Sequence, residues 1–347
     1  MLLDEQIERF RSDLLRWFAE HRRDLPWRRT RDPYAIWISE VMLQQTRVAA
    51  VIPYYEKFLR RFPDYHALAE APEGDLLAHW AGLGYYYRAR NMQKAARAMR
   101  EGGSFPARHE EIRLLPGVGD YTAAAVASIG FGLPHAVVDG NVFRALSRVH
   151  NDATNIASGA GRKHFSFLAE RLLDRAQPGE FNQALMELGA TLCLPKNPQC
   201  LICPVSALCG ARKNGTQNDL PVKLIRQKSV QEKRALFWIE REDKLLVWQR
   251  SPDSRLMPGF WELPECTQLA DIAADKLLGS FRHGITFHDY RFEVMEARPP
   301  ASVGTCRWVS FNKLRSLPVS TILKKARRVV AQYRKHAETV LAAAASS

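Results

Sequence analysis

The sequence predicts an α-helical domain followed by a smaller α+β domain, and three features of the chain support this prediction. From residue 5 to about residue 210, apolar residues recur at steps of three and four, as at Leu76, Trp80 and Leu83, which is the period of amphipathic helices. After residue 232, apolar residues instead gather in short β-rich runs between turn residues. Residues 211–232 are polar and charged, a composition typical of an interdomain linker.

Local signals divide each part into elements. Helix breaks are predicted at Pro53, Pro63, Pro72, Gly102-Gly103, Pro116-Gly117 and Gly132-Leu133-Pro134. Strands are predicted at 235–239, 244–248 and 290–294, with a helix near 321–336. We therefore place the helical domain at 1–210, the linker at 211–232 and the α+β domain at 233–340.

The charge of the chain indicates a polyanionic partner. Its 347 residues have a formal net charge of +13, and the parts before and after residue 233 are both basic. Nucleic-acid-binding proteins have this charge, although a basic protein without such a partner would have it too.

No stretch approaches the ~20 apolar residues of a membrane span, and no secretory signal is evident at the start. We therefore expect a cytoplasmic monomer with no membrane contact, associated with the nucleoid if it is bacterial.

Four of the six cysteines have the spacing of metal ligands. Cys193, Cys200, Cys203 and Cys209 form the pattern C-x6-C-x2-C-x5-C, with prolines between them that can turn the thiolates inward. A zinc ribbon needs two C-x2-C knuckles on a longer arm, so a [4Fe–4S] cluster is favoured over zinc or unligated thiols. The remaining pair, Cys266 and Cys306, has no ligand spacing and is expected to be buried or free.

A glycine turn precedes one of the predicted helices. Residues 115–123 read L-P-G-V-G-D-Y-T-A, in which Gly117 and Gly119 allow the backbone to approach a ligand closely. The N-terminus of the following helix offers unpaired N–H groups to an anion such as a DNA phosphate. A plain joint between two helices would use glycines as well.

Two carboxylates stand at positions where a charged group is unusual. Asp139 follows an apolar run and precedes a helix, where by itself it would be an N-cap that stabilises the helix by about 1 kcal/mol. Glu40 interrupts an otherwise apolar helix face. If Glu40 is buried, its pKa is raised and it can act as a general acid, whereas an exposed helix glutamate would have no such role.

These motifs resemble those of the helix-hairpin-helix base-excision glycosylases, and within that superfamily those of the MutY-type adenine DNA glycosylases. The run Ser39–Thr46 is similar to a signature of that family, as are Leu25–Arg28, Trp80–Asn91 and Phe181–Met186. The resemblance covers about the first 220 residues. It implies that Glu40 protonates adenine at N7, that Asp139 stabilises the cationic sugar, that Asn141 orients Asp139 or the water, and that Tyr121 borders the sugar.

The resemblance also implies residues that bind the substrate. Trp27, Arg28 and Gln183 would border the extruded adenine, and Gln45 and Tyr85 would wedge into the opposite strand beside the damaged guanine. Trp27 and Tyr85 could instead be core aromatic residues, and Arg28 a surface charge. In the superfamily the iron–sulfur cluster supports a loop that meets DNA, so Lys196 could reach a phosphate or simply be solvated.

Position 121 separates two reaction types within the superfamily. Members that cleave the DNA strand carry a lysine at this position, which forms a Schiff base with the sugar, and this chain has Tyr121. We therefore expect a monofunctional glycosylase acting on double-stranded DNA with adenine opposite 8-oxoguanine or guanine. The alternatives are a bifunctional endonuclease III-like glycosylase/lyase and a non-catalytic DNA-binding iron–sulfur protein.

The C-terminal part resembles the Nudix-like domain that ends MutY-type proteins, through Val247–Arg250 and Leu256–Pro264. Residues 265–280 lack the glutamate-dense helix that holds magnesium in Nudix hydrolases, so pyrophosphatase activity is not expected and 8-oxoguanine recognition is. The family's Phe-Ser-His is replaced by Ile285-Thr286-Phe287-His288. Thr286 keeps a hydroxyl that could contact the oxidised base.

Overall fold

The structure is a computed structural model. It describes residues 2–224, 230–251, 253–254, 257–269, 272–285 and 288–345. The chain divides into two compact units, one formed by Met1–Pro72 and Arg88–Ile225 and the other by Glu73–Tyr87 and Arg226–Ser347. The second unit therefore includes a short segment from within the helical part of the sequence.

The described residues up to 224 form helices that turns and loops connect. The helices are α1 (Asp4–His21), α2 (Pro33–Leu43), α3 (Val48–Arg61), α4 (Tyr65–Glu70), α5 (Glu73–Trp80), α6 (Tyr87–Glu101), α7 (His109–Arg113), α8 (Asp120–Ala125), α9 (Gly140–His150), α10 (Gly159–Leu172), α11 (Pro178–Thr191) and α12 (Gly210–Asn214). Pro26–Arg28 and Ser206–Leu208 are 3₁₀ turns, and Val126–Gly130 continues α8 as a π-helical turn. All except α5 and the first residue of α6 belong to the first unit.

Local sequence fixes both ends of α2. The Asp32 side chain accepts hydrogen bonds from the backbone N–H groups of Tyr34 and Ala35, and Pro33 occupies the first turn, where it loses no helical hydrogen bond. At the other end, the buried Arg88 guanidinium donates to the carbonyls of Val41 (2.8 Å), Met42 (3.1 Å) and Gln44 (2.6 Å). Arg88 thus satisfies carbonyls that a helix end leaves without partners.

One core of the first unit lies where α1, α9, α10 and α11 pack together. Phe10 and Leu14 of α1 meet Leu146 of α9, Phe165 of α10 and Leu185 of α11, and each is at most 1% exposed. Burying such side chains contributes about 1.5–3 kcal/mol each. This core fixes the positions of α9 and α11, both of which carry predicted site residues.

The prediction of a helix break at Pro53 is wrong. Pro53 lies inside α3. A proline there removes one backbone hydrogen bond, but Val51, Tyr55 and Phe58 on the same helix are buried. The burial of these three side chains offsets the loss, so the helix continues through the proline.

Residues 211–224 of the predicted linker pack against the first unit. Its first residues complete α12, and the Ile156 N–H donates to the Val222 carbonyl at 3.0 Å. The Leu224 N–H donates to the Asn155 side chain at 3.1 Å, and the first strand of the second unit already begins at Val230. Polar composition alone did not reveal these backbone contacts.

The second unit contains two sheets and two further helices. Its strands are β1 (Val230–Trp238), β2 (Glu240–Arg241), β3 (Lys244–Gln249), β4 (Trp261–Glu262), β5 (Ala274–Ile285), β6 (His288–Ala297) and β7 (Cys306–Ser310), and its helices are α13 (Phe311–Leu314) and α14 (Thr321–Ala345). One sheet has the order β1-β6-β5, with β1 parallel and β5 antiparallel to β6. The other has the order β2-β3-β4, with β7 also paired to β3.

The core of the second unit joins its sheets to α14. Leu236, Phe292 and Val294 of the first sheet contact Leu323 and Ala326 of the helix, and all five are buried. The expected α+β composition is thus observed. Of residues 265–280, those from 274 on form β5, so the described part of this range contains no helix.

Among the described residues, no helix combines the length and the hydrophobicity that crossing a bilayer requires.

Candidate active site

The first unit contains a cleft of about 510 Å³ where side chains from separate helices meet. Eight predicted site residues line it: Trp27, Arg28, Glu40, Gln45, Tyr121, Asp139, Asn141 and Gln183. Tyr85, Gly117 and Gly119 do not line this cleft, and Thr286 lies outside the described residues. The cleft therefore unites both predicted carboxyl groups with the residues predicted to surround the base.

Glu40 and Tyr121 are joined across the floor of the cleft. Glu40 lies on α2 and is 4% exposed, and the Tyr121 hydroxyl on α8 donates a hydrogen bond to Glu40 Oε2 at 2.7 Å. Burial, together with the negative charges of Glu40 and Asp139, raises the pKa of Tyr121 well above its usual range. Tyr121 therefore keeps its proton and remains a donor.

The same surroundings hold Glu40 close to half protonation at neutral pH. Burial raises the pKa of Glu40 to about 7, and the nearby charge of Asp139 acts in the same direction. The Tyr121 hydrogen bond and the positive charge of Arg28 lower this pKa, but by less than burial raises it. A carboxyl with this pKa can donate a proton and be reprotonated near pH 7.

Asp139 caps α9 and faces the same cleft. Its Oδ1 accepts from the Val142 N–H at 2.7 Å, and its Oδ2 accepts from Asn141 Nδ2 at 2.9 Å. Burial raises the pKa of Asp139, while these two hydrogen bonds favour the charged form and oppose the rise. The N-cap interpretation is correct and is compatible with a second role in the cleft.

Asn141 is itself held by a chain of hydrogen bonds from the buried Arg144. Arg144 Nη2 donates to Asn141 Oδ1 at 2.8 Å and to the Gly189 carbonyl at 2.7 Å, and Nε donates to the Cys193 carbonyl at 2.7 Å. A Cβ on Gly189 would lie 2.6 Å from the Asn141 Cβ, so glycine is needed there. The orientation of Asp139 thus depends on α11 and on the first cysteine of the cluster motif.

Two charged residues of the cleft were missed in the sequence. Glu187 on α11 is 1% exposed and accepts hydrogen bonds from Arg23 (2.7 Å) and Arg28 (2.8 Å). Burial alone would raise the pKa of Glu187, but these two guanidinium groups outweigh it and lower the pKa to about 2. Glu187 lies four residues after Gln183, on the same helix face, and that spacing was the available signal.

The surroundings of Trp27 and Arg28 show whether Trp27 is a core aromatic residue and whether Arg28 is a surface charge. The Arg28 side chain is 11% exposed and stacks over Phe18 at 5.2 Å, so it is not a surface charge. Trp27 is buried and packs edge-on against Tyr55 with 5.4 Å between ring centroids. Trp27 is therefore a core aromatic residue that also forms part of the cleft wall.

The predicted hairpin connects α7 to α8. Gly117 has a φ of +78°, and a Cβ there would lie 2.7 Å from the Asn91 Cβ, so the turn requires glycine. Gly119 is the N-cap residue of α8 and has open space around its α-carbon, and Leu114 at the start of the turn is 84% exposed. The turn thus presents backbone to the surface, as phosphate binding would need, and that binding stays a prediction.

Gln45 and Tyr85 share an unusual backbone conformation. Their φ angles are +57° and +47°, in the left-handed region that residues other than glycine seldom adopt. Both side chains are exposed, and the edge of the Tyr85 ring meets Tyr87 with 6.2 Å between centroids. Tyr85 is therefore not a core aromatic residue. Its role as a wedge stays a prediction.

The four cysteines of the motif surround one small cavity in the first unit. All four line it without forming a disulfide, and Arg148 Nη1 donates to Cys193 Sγ at 3.3 Å. Burial raises the pKa of Cys203 to about 12 and also raises that of Cys209. Negative charge on neighbouring cysteines acts in the same direction. These thiols would ionise only beside a cationic centre, which is what a metal supplies.

The other two cysteines lie apart from any group of metal ligands in the part of the chain that the structure describes. Among the described residues, no three His, Cys, Asp or Glu side chains converge as a single metal ion requires. Cys306 is buried and Cys266 is exposed. In the second unit, His288 Nδ1 lies 2.6 Å from Glu232 Oε1 at the start of β6. Thr286 and Phe287 fall outside the described residues.

Comparisons with known proteins give the family of the chain. The model of the HhH-GPD superfamily base excision DNA repair proteins matches residues 38–170. Adenine DNA glycosylase from Rattus norvegicus is 34% identical over 95% of this chain and 79% of the rat protein. The adenine DNA glycosylase from Homo sapiens is 35% identical over 93% of this chain and 74% of the human protein. The solved structure of a thermostable thymine-DNA glycosylase is 32% identical, with a TM-score of 0.57 over 61% of this chain and 98% of its own. The predicted helical glycosylase fold is confirmed.

Asp139 should stabilise α9 through its cap even without its charge. Asp139→Asn and Asp139→Ala both remove the buried charge, but only asparagine keeps an acceptor for the Val142 N–H. The asparagine variant should therefore be more stable than the alanine variant by about 1 kcal/mol. Urea unfolding followed by circular dichroism measures the difference, and equal stability of the two variants would show that the cap contributes nothing.

Tyr121→Phe should raise the pKa of Glu40 above its wild-type value, because the lost hydrogen bond favours the charged carboxylate. Carbon-13 NMR of protein labelled at the glutamate carboxyl carbon measures this pKa, with Glu40→Gln identifying the signal. Tyr34→Phe is the control, since Tyr34 lies on α2 but its hydroxyl donates to the Phe62 carbonyl at 2.9 Å. A pKa that falls, or stays unchanged, in Tyr121→Phe contradicts the assigned hydrogen bond.

Proposed function

The chain belongs to the adenine DNA glycosylase family, and on that premise we propose that it removes adenine paired with 8-oxoguanine or guanine and leaves the DNA strand uncut. Membership makes it a DNA glycosylase, a hydrolase that acts on adenine in base excision repair. The mispair and the single activity are the proposed part. The observation that carries the proposal is the buried Glu40, which accepts from Tyr121 in the cleft that also holds Asp139.

Glu40 is the proposed proton donor to the base. Adenine is a poor leaving group until a ring nitrogen is protonated, and N7 is the atom that Glu40 would serve. The Tyr121 hydroxyl occupies Glu40 Oε2, so the acid proton is directed to Oε1. With a pKa of about 7, Glu40 is protonated in a large fraction of molecules at neutral pH.

Asp139 is the proposed stabiliser of the sugar. As the glycosidic bond breaks, positive charge develops on the sugar ring, and a fixed carboxylate nearby lowers the energy of that state. The Val142 N–H and the Asn141 amide support the ionised form of Asp139. Since Arg144 fixes Asn141, the carboxylate is held in place before the substrate arrives.

Water is the proposed nucleophile. A strand-cleaving glycosylase attacks the sugar with an amine, but Tyr121 has none. Among the described residues that line the cleft, none is a lysine. These two observations disfavour the glycosylase/lyase alternative, and the two carboxyl groups disfavour a purely DNA-binding role, because a polyanion gains nothing from them.

The adenine pocket is proposed to lie between Trp27, Arg28 and Gln183. Trp27 supplies an apolar wall, and the Gln183 amide offers both a donor and an acceptor to the base edge. The Arg28 guanidinium is fixed by Glu187 at 2.8 Å, so it can present its remaining N–H groups in one orientation. A pocket with fixed polar groups favours one base over the others.

Recognition of the opposite base is assigned to other residues. Gln45 and Tyr85 are exposed and would enter the helix beside the oxidised guanine, and Thr286 of the second unit would contact that base. Contact with the DNA backbone is assigned to the turn at Gly117 and Gly119. The net charge of +13 favours binding along the duplex.

We propose that Cys193, Cys200, Cys203 and Cys209 hold a [4Fe–4S] cluster. The four thiols line a common cavity, and four cysteine thiolates are the ligand set of a [4Fe–4S] cluster. In this position the group would be structural. Its loop begins at Cys193, whose carbonyl accepts from Arg144.

Glu40→Gln should bind mispaired duplex with near-normal affinity and release adenine roughly 10²–10⁴-fold more slowly. The substitution preserves size and removes the donated proton. Single-turnover excision on a duplex with adenine opposite 8-oxoguanine measures the loss. Glu70→Gln, which alters an exposed carboxyl near Arg100, is the control. Near-normal excision by Glu40→Gln would exclude Glu40 as the acid.

Borohydride should trap little covalent complex between the wild-type protein and its substrate DNA, because no lysine is found among the described residues that line the cleft. Tyr121→Lys should gain trapping, and Tyr65→Lys, which places the amine outside the cleft, should not. Gel electrophoresis of the trapped complex measures all three. Efficient trapping by the wild type would mean that another lysine attacks the sugar and that the strand is cleaved.

A further inference from the structure

The side-chain amide of Gln217 lies at the cavity of the four cysteines. Its oxygen has no hydrogen-bond partner among the described residues. The residue follows α12 and lines the same cavity as Cys193, Cys200, Cys203 and Cys209. Its Oε1 is fully buried and accepts no hydrogen bond from the residues that the structure describes. A buried carbonyl oxygen without a donor is costly, so the amide requires an explanation.

The chemistry of the cavity calls for a donor at this position. Four thiolates around an iron–sulfur centre carry negative charge, and an amide oxygen directed at them would be repelled. A half-turn of the terminal amide exchanges oxygen for NH₂ without changing its shape. In that orientation the NH₂ group, and no longer the oxygen, occupies the buried position and is available to donate to a sulfur.

We propose that the Gln217 side-chain amide donates a hydrogen bond to a sulfur of the cluster and thereby sets its reduction potential and its resistance to loss. The proposal rests on the proposed [4Fe–4S] cofactor. Hydrogen bonds to the sulfurs stabilise the more negative, reduced state, so they raise the potential. No family motif in the sequence includes Gln217.

Gln217 differs from Arg148, the donor that the structure already shows. Arg148 Nη1 donates to Cys193 Sγ, but the same side chain also donates to the carbonyls of Leu194 (2.7 Å) and Leu220 (3.0 Å). Replacing Arg148 would therefore disturb the loop itself. Gln217 can be replaced with less effect on the fold, so its effect on the cluster can be measured separately.

The test compares Gln217→Leu with Gln199→Leu in the full-length protein. Gln199 also lines the cavity, but it is exposed and its Nε2 already donates to the Asn197 carbonyl at 3.2 Å. Iron content and visible absorbance establish loading, and a redox titration followed by electron paramagnetic resonance gives the potential. Gln217→Leu should load iron, show a more negative potential than wild type, and lose its cluster several-fold faster to a chelator. Gln199→Leu should match wild type in both.

Gln217→Glu is the second variant, because it keeps the shape but replaces the donor with an anion. It should lose its cluster faster than Gln217→Leu, or fail to retain it while circular dichroism still shows a helical fold. If Gln217→Leu and Gln217→Glu both match Gln199→Leu in potential and in cluster loss, the proposed hydrogen bond is wrong. If the wild-type protein itself binds no iron, the cofactor proposal fails instead.

Discussion

Much of the first unit is arranged around one carboxyl group kept away from water. Glu40 sits on the buried face of α2, where an ionised carboxylate is unfavourable, and its pKa rises to about 7 as a result. Such a group persists only if its surroundings are fixed. Asp32 and Arg88 fix the two ends of α2, and the Tyr121 hydroxyl occupies one carboxyl oxygen. The contacts at the ends of α2 hold Glu40 in its buried position, where burial favours the protonated carboxyl, while the Tyr121 hydrogen bond orients it.

The cleft contains three carboxyl groups in three different environments, and this difference assigns their chemistry. Among the described residues, Glu40 is hydrogen-bonded by the neutral Tyr121 hydroxyl and not by a cation, and its pKa is raised to about 7. Glu187 is bonded by two arginines, which hold its pKa near 2 and make it a permanent anion. Asp139 is intermediate, since burial raises its pKa while hydrogen bonds from Val142 and Asn141 oppose the rise. An acid, a structural anion and a cation stabiliser thus lie within one cleft, which is what cleavage of a glycosidic bond requires.

Short-range patterns predicted the helical fold, the hairpin and most of the cleft, because helix period, glycine turns and motif spacing are local properties. Glu187 and Arg23 were missed because their pairing joins α11 to a loop far away in sequence. The helix break predicted at Pro53 is wrong because the helix propensity of proline does not include the burial of Val51 and Phe58 on the same helix. Likewise, the ordered first half of the linker depends on contacts to Asn155 and Ile156 that composition cannot show.

The dependence of adenine release on pH tests the central claim most directly. Single-turnover excision from a duplex with adenine opposite 8-oxoguanine should be measured from pH 5 to pH 9, which extends about two pH units to each side of the pKa of Glu40. Because the raised pKa of Glu40 leaves it protonated below about pH 7, the rate should fall as pH increases through that value. The duplex affinity should not show the same dependence. A rate that stays constant from pH 6 to pH 9 would contradict proton donation by Glu40.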